Sequence, residues 1–295
     1  MFRSKFSAIL IAVFIGFASV LMGASVVNAQ NQSYDTSRLI SIGGSITEII
    51  YALGEEDRLI ARDTTSREPV EAMKLPDVGY IRRLSPEGVL SVNPTAIIAL
   101  EGSGPKEAID VLQKASVPFI IVPESYDAEG IVNKIRKTGE ALNVPEKAAA
   151  LIKEVQADLA SAQAAGEASD LKNMRVLFVL STRVGRITAS GFGTAADGII
   201  KLAGATNVID QFQGYKQLSN EAIIKAAPDV ILMMARGGDH GAGNKELFGN
   251  PSIAATPAGE KQNIVRMNGL YLLGFGPRTA NAIRDLSQAL SEFKG

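Results

Sequence analysis

From Arg38 onward, short apolar runs alternate with segments whose apolar residues recur at helical spacing. "RLISIGG" predicts a short strand closed by glycines, and "SITEIIYALG" predicts a helix ending at Gly54. "RLIA", "AIIAL" (Ala96 to Leu100) and "PFIIV" (Pro118 to Val122) predict further strands, with the helix "PKEAIDVLQKAS" between the last two. Unbroken apolar strands of this kind belong to parallel sheets covered on both faces, so the pattern implies an α/β sheet with crossover helices. Pro145 to about Ala165 is alanine-rich and predicts a long helix, with Pro145 at its start and Gly166 at its end. "MRVLFVL" and "DVILMM" then predict a second α/β run, closed by the helix "PRTANAIRDLSQALSEF".

The two runs echo each other. "LSPEGVLSVNPTAIIAL" (Leu84 to Leu100) lies over "LSNEAIIKAAPDVILMM" (Leu218 to Met234) at a constant offset of 134 residues. Gly79-Tyr80 and Gly214-Tyr215 stand just upstream of the two copies, and "GSITEIIYALG" is echoed by "GTAADGIIKLAG". The fold expected is α/β: two Rossmann-like lobes joined by a single long interdomain helix, with a ligand cleft between them. The boundaries expected are 30–143 for the first lobe, 144–169 for the connecting helix and 170–295 for the second.

The first residues concern destination. Arg3 and Lys5 precede an apolar run from Phe6 to Met22 and a small-x-small site, Val27-Asn28-Ala29, the pattern of a secretory signal spanning 1–29. A retained anchor is the alternative reading. The full chain has 30 basic and 31 acidic side chains, and loss of Arg3 and Lys5 leaves 28 against 31. That balance argues against nucleic acid or a polybasic membrane contact. Zero cysteines exclude a disulfide scaffold and an acylated N-terminal cysteine. The expected product is a soluble periplasmic protein.

Enzymatic motifs are missing: the chain has no Walker loop, no G-x-S-x-G elbow and no H-E-x-x-H. "GGS" and "SGFGT" lack dinucleotide-binding spacing, and one histidine without thiols cannot build an imidazole metal centre. Tyr80 is the more informative residue. It follows Gly79 and precedes Arg82 and Arg83; a phenolate is a hard anionic donor suited to ferric iron, and a guanidinium favours that charge state. In an extended loop, Tyr80 and Arg82 project to one side and Arg83 to the other. A packed tyrosine on a surface loop is the plainer reading. Glu87 and Glu221 occupy equivalent first-turn positions in the two lobes, where they either complement a helix dipole or serve a two-fold symmetric partner. The glycine-rich loop "MMARGGDHGAG" after "DVIL" offers Arg236 and His240, and Tyr215 either lines the cleft or packs under its loop. Arg278, opening the last helix, opposes the helix dipole unless an anion lies nearby.

These segments together resemble the class III periplasmic substrate-binding proteins of ABC importers, and most closely their hemin-binding branch. The resemblance runs from about Arg38 to the C-terminus. Its carriers are "LISIGGSITEIIYALG", "DVGYIRRLSPEGVLSVNPTAIIA", "SGFGTAADGIIKLAGATNV", "GYKQLSNEAIIKAAPDVILMM" and "LLGFGPRTANAI". It implies haem b (hemin) as the transported ligand, Tyr80 as the axial iron ligand and Arg82 as support for the phenolate. It implies that Glu87 and Glu221 dock on the permease dimer of an importer with its ATPase, and that the protein is a monomer served by an outer-membrane haem receptor system. Some hemin binders add a histidine from the second lobe, for which His240 is the one available. A cobalamin or ferric-siderophore carrier of the same class is the alternative ligand reading, and a secreted α/β enzyme the alternative class.

Overall fold

The apolar runs pair side by side. In a computed structural model, which describes residues 34–235 and 243–294, β1 (Leu39–Ile42), β2 (Leu59–Arg62), β3 (Ala96–Leu100) and β4 (Phe119–Val122) form an all-parallel sheet in the order β2-β1-β3-β4. Every residue of β1 is buried, its one polar side chain, Ser41, sharing a 2.7 Å hydrogen bond with Thr47. The second lobe holds β5 (Arg175–Ser181), β6 (Thr188–Ser190), β7 (Thr206–Asn207), β8 (Tyr215–Gln217), β9 (Val230–Ala235) and β10 (Ile264–Asn268). Its order is β10-β9-β5-β6-β8, with β7 paired to the start of β5. β5, β7, β9 and β10 run parallel; β6 and β8 add an antiparallel edge that carries Tyr215. This is the two-lobed α/β architecture expected.

The helix Pro145–Ala168 joins the lobes and packs against the first-lobe helix Ala128–Ala141 and the last helix, Thr279–Ser291. It runs three residues beyond Ala165 and passes straight through Gly166. Gly166 is therefore a packing residue and not the helix terminator expected: a Cβ there would stand 3.2 Å from the Ala203 backbone.

The lobes also meet directly along a seam. One continuous apolar core includes Leu39, Ile46 and Ile49 of the first lobe with Phe275, Ile283 and Leu286 of the second. Two polar contacts and one aromatic contact also cross the seam. Lys134, fully buried on the Ala128–Ala141 helix, sends its ammonium to the carbonyls of Gly274 (3.3 Å) and Phe275 (3.1 Å). Arg278 reaches both oxygens of Glu48, at 2.7 and 3.1 Å, so the anion that its dipole conflict required comes from the other lobe. Tyr126 meets Phe275 edge-on at 5.4 Å, and its carbonyl oxygen closes on Gly198 so tightly that a Cβ there would lie 2.3 Å away.

Gly198→Ala should therefore push the lobes apart locally and cost about 1–3 kcal/mol, read from urea unfolding. Unchanged stability would mean that the seam yields without loss.

Candidate functional site

The first-lobe loop is anchored before and after Tyr80. Asp77 pins its approach, accepting from Arg62 Nη1 (2.8 Å), Thr64 Oγ1 (3.0 Å) and the Gly79 amide (2.8 Å). Gly79 has φ +109°, a conformation that favours glycine, and its carbonyl accepts from the Thr64 amide. A turn follows, closed by the Arg83 amide donating to the Tyr80 carbonyl at 2.7 Å. The Gly104 amide donates to the Ile81 carbonyl and the Gly104 carbonyl accepts from the Leu84 amide, which returns the chain to buried Leu84. Tyr80 is left 44% exposed between these anchors. The turn replaces the extended loop expected, so strand-like alternation does not decide which way Arg82 and Arg83 point; both are exposed.

Arg82 reaches the neighbouring loop of its own lobe. Its Nη1 makes a long 3.5 Å contact with the Gly102 carbonyl, in the loop after β3. Its charge acts on Glu124 and Tyr126, in the loop after β4, and on Tyr215 of the other lobe. Three loops at the carboxyl ends of first-lobe strands thus converge with the second-lobe edge strand, where an α/β fold places ligand contacts.

Tyr215 is the second-lobe counterpart of Tyr80. It follows Gly214, at φ +82°, and pairs with Ser190 of β6. Its ring meets Phe178 edge-on at 6.3 Å. The residue is 38% exposed overall, yet its hydroxyl end is enclosed near Thr194, Ser190 and the Ala196 amide. Burial pushes the phenol above its ordinary value, and those donors together with Arg82 oppose the shift. Tyr215 thus stands partly exposed at the sheet edge with its hydroxyl held. Phe192, 43% exposed after β6, adds a second aromatic beside the same strand pair.

The paired acids stand in matching local structures. Ser85 caps the helix Pro86–Leu90 by accepting from the Gly88 amide, and Ser219 caps Asn220–Ala226 by accepting from the Ala222 amide. Glu87 and Glu221 are exposed in the first turns that follow. The Ser85 hydroxyl donates to Glu87 at 2.9 Å and holds that carboxyl below the usual range; for Glu221, its own backbone amide and then Ser219 act the same way. Arg236 and His240 lie outside the described residues, as does the Val27-Asn28-Ala29 cleavage motif. Among the described residues no group of three or more His, Cys, Asp or Glu could hold a metal ion, and no helix is long and apolar enough to cross a membrane.

Two cleft residues escaped the sequence reading, Glu124 and Tyr126 of "PESYD". Their signal was positional: a polar loop directly after a parallel strand.

Two α/β lobes on a connecting helix, with strand-end loops facing one another, define a substrate-binding protein. The family model described as "Periplasmic binding protein" matches residues 39–269, and the chain belongs to that family. Among solved structures, the periplasmic heme-binding protein BhuT in complex with two hemes is 38% identical with a TM-score of 0.82, covering 87% of this chain and 98% of that one. The periplasmic heme-binding protein RhuT from Roseiflexus sp. RS-1, in apo form, is 36% identical with the same TM-score and the same coverage of both chains. The vitamin B12-binding protein of Pectobacterium atrosepticum is 25% identical over 261 residues, 87% of this chain and 89% of that one. Family and fold are those of the substrate-binding components of ABC transporters, which work with a permease and its ATPase.

Proposed function

We propose that this protein carries haem across the periplasm to an inner-membrane ABC importer, after export by a signal ending near Ala29. The carrying observation is a half-exposed phenol, Tyr80, held on an anchored turn two residues from the exposed Arg82 guanidinium. Ferric haem is a flat apolar ring with two carboxylates and an iron that accepts an anionic oxygen. The residues fit each part: Tyr80 supplies the oxygen to iron, Arg82 and Arg83 supply cations to phenolate and propionates, and Tyr215 offers a ring face opposite. Arg236 and His240, which follow β9 in the sequence and lie outside the described residues, are the further candidates for haem contact. The similarity to two heme-binding proteins at 36–38% identity supports this ligand. A cobalamin carrier is the second reading, favoured by the vitamin B12-binding relative at 25% identity.

Tyr80→Phe keeps the ring and removes the oxygen. The phenolate-to-iron charge-transfer absorption of the hemin complex should disappear, and affinity should fall by about tenfold or more. An unchanged spectrum would remove Tyr80 as the iron ligand.

Glu87 and Glu221 are proposed to dock on two like permease subunits, at a spacing set by the connecting helix and the seam. Each exposed pair alone is worth about 1 kcal/mol or less, so Glu87→Lys or Glu221→Lys should slow haem uptake into importer proteoliposomes only partly. The double reversal should abolish uptake while leaving hemin binding in solution intact. Normal uptake with the double variant would contradict the docking role.

A further inference from the structure

The buried Lys134 ammonium has a partner that the seam alone does not explain. Besides the two second-lobe carbonyls it meets Ser45 Oγ at 3.3 Å and Glu124 Oε1 at 2.7 Å. The Glu124 contact is close but off the hydrogen-bonding direction, so it is an ion pair more than an aligned hydrogen bond. Glu124 is a nearly buried carboxylate two residues beyond β4, its side chain 10% exposed. Two cations act on it, Lys134 first and Arg82 after it, while Glu101 acts as a like charge. Glu101 is itself engaged, accepting the Glu124 amide at 2.9 Å. Lys134 faces no other acid so near; Glu48 acts on it more weakly. Glu124 therefore stands between a fixed cation in the seam and a loosely held one, Arg82, whose hydrogen-bonding contact among the described residues is the 3.5 Å approach to the Gly102 carbonyl.

We infer that Lys134 is a positioning residue for the ligand's anionic group: by holding the Glu124 carboxylate in the seam, it leaves the Arg82 guanidinium free to meet that group in the cleft. A carboxylate taken out of water needs a cation, and if Lys134 is removed the other cation acting on Glu124 is Arg82, held at the Gly102 carbonyl next to the Glu101 that accepts the Glu124 amide. A guanidinium drawn onto Glu124 presents its fork to a protein acid and no longer to a phenolate or propionate. Lys134 thus acts on the ligand without touching it. Its position accounts for a buried lysine beside the loop after β4, where that loop meets the second lobe. The anion in question is that of haem, so this inference rests on the proposed function.

The test uses the apoprotein, hemin and three variants. Lys134→Met keeps the stem and removes the ammonium; hemin affinity should fall by about tenfold. In the hemin-free protein, the 15N-labelled Arg82 side-chain signal, identified by its loss in Arg82→Lys, should move to a paired, slowly exchanging position. Lys134→Met with Glu124→Gln removes both charges and should return hemin affinity and the Arg82 signal towards wild type. Glu124→Gln alone removes the carboxylate that would capture Arg82, so the Arg82 signal of the hemin-free protein should keep its wild-type position. If the double variant is folded and still binds weakly, or if the Arg82 signal of hemin-free Lys134→Met stays where the wild type has it, Lys134 serves only to space the lobes and the inference is overturned. Should Lys134→Met fail to fold, the other two variants decide by the same criteria. The Arg82 signal is read without hemin, so an absent response there sinks this inference by itself, whereas a wild-type protein that binds no hemin sinks the haem reading instead.

Discussion

The constraint on which the rest depends is a charge kept out of water between two lobes. An ammonium buried as deeply as that of Lys134 costs several kcal/mol unless oxygens surround it, and removing one partner of such a pair costs about 3–5 kcal/mol. Four oxygens meet it here, two of them backbone carbonyls from the other lobe. Carbonyls cannot rotate away as side chains can, so the bonds fix the segment around Phe275 against the first-lobe helix. Burial pushes the Glu124 carboxyl up and the Lys134 ammonium down, and their mutual attraction holds both charges against that tendency. Arg278 with Glu48 repeats the device nearer the surface. The distance between the lobes, and with it the width of the cleft, follows from these contacts as much as from the connecting helix.

On that frame the two lobes present the same local features twice. A glycine in the left-handed region launches a tyrosine on each side, Gly79 to Tyr80 and Gly214 to Tyr215. A serine caps a short helix on each side and leaves a glutamate exposed in its first turn. The tyrosines and the glutamates serve different tasks in the proposed carrier, one pair facing the ligand and one facing the importer. The two tyrosines are not alike in detail, however. Tyr80 stands on an open turn, while the Tyr215 hydroxyl is enclosed by Ser190, Thr194 and a backbone amide. The symmetry is that of the fold, and the asymmetry is that of the chemistry.

Much of this was legible in the sequence because its signals are local. Unbroken apolar runs gave the parallel strands, and the offset of 134 residues gave the second lobe. Signals that depend on a distant partner were read only in part. Gly166 looked like a helix terminator because glycine commonly follows helix ends, whereas its purpose is to admit the Ala203 backbone. Arg278 announced a missing anion, but nothing local pointed to Glu48, 230 residues earlier. The Tyr80 loop looked extended because the Tyr80–Arg83 turn carries no glycine or proline at its centre. Lys134 did leave a trace: it falls on the apolar stripe of its helix with Ile131, Ile135 and Thr138, all buried. A lysine on such a stripe calls for a buried acid, and Glu124 answers it.

The central claim is that the cleft is built for an iron porphyrin rather than a corrin. It is tested most directly by titrating the purified apoprotein with hemin, with and without excess cobalamin, and following the visible spectrum. The account predicts a saturable shift to the spectrum of phenolate-ligated ferric haem that cobalamin does not displace. Saturable binding of cobalamin, with hemin keeping the spectrum it has in buffer, would contradict it.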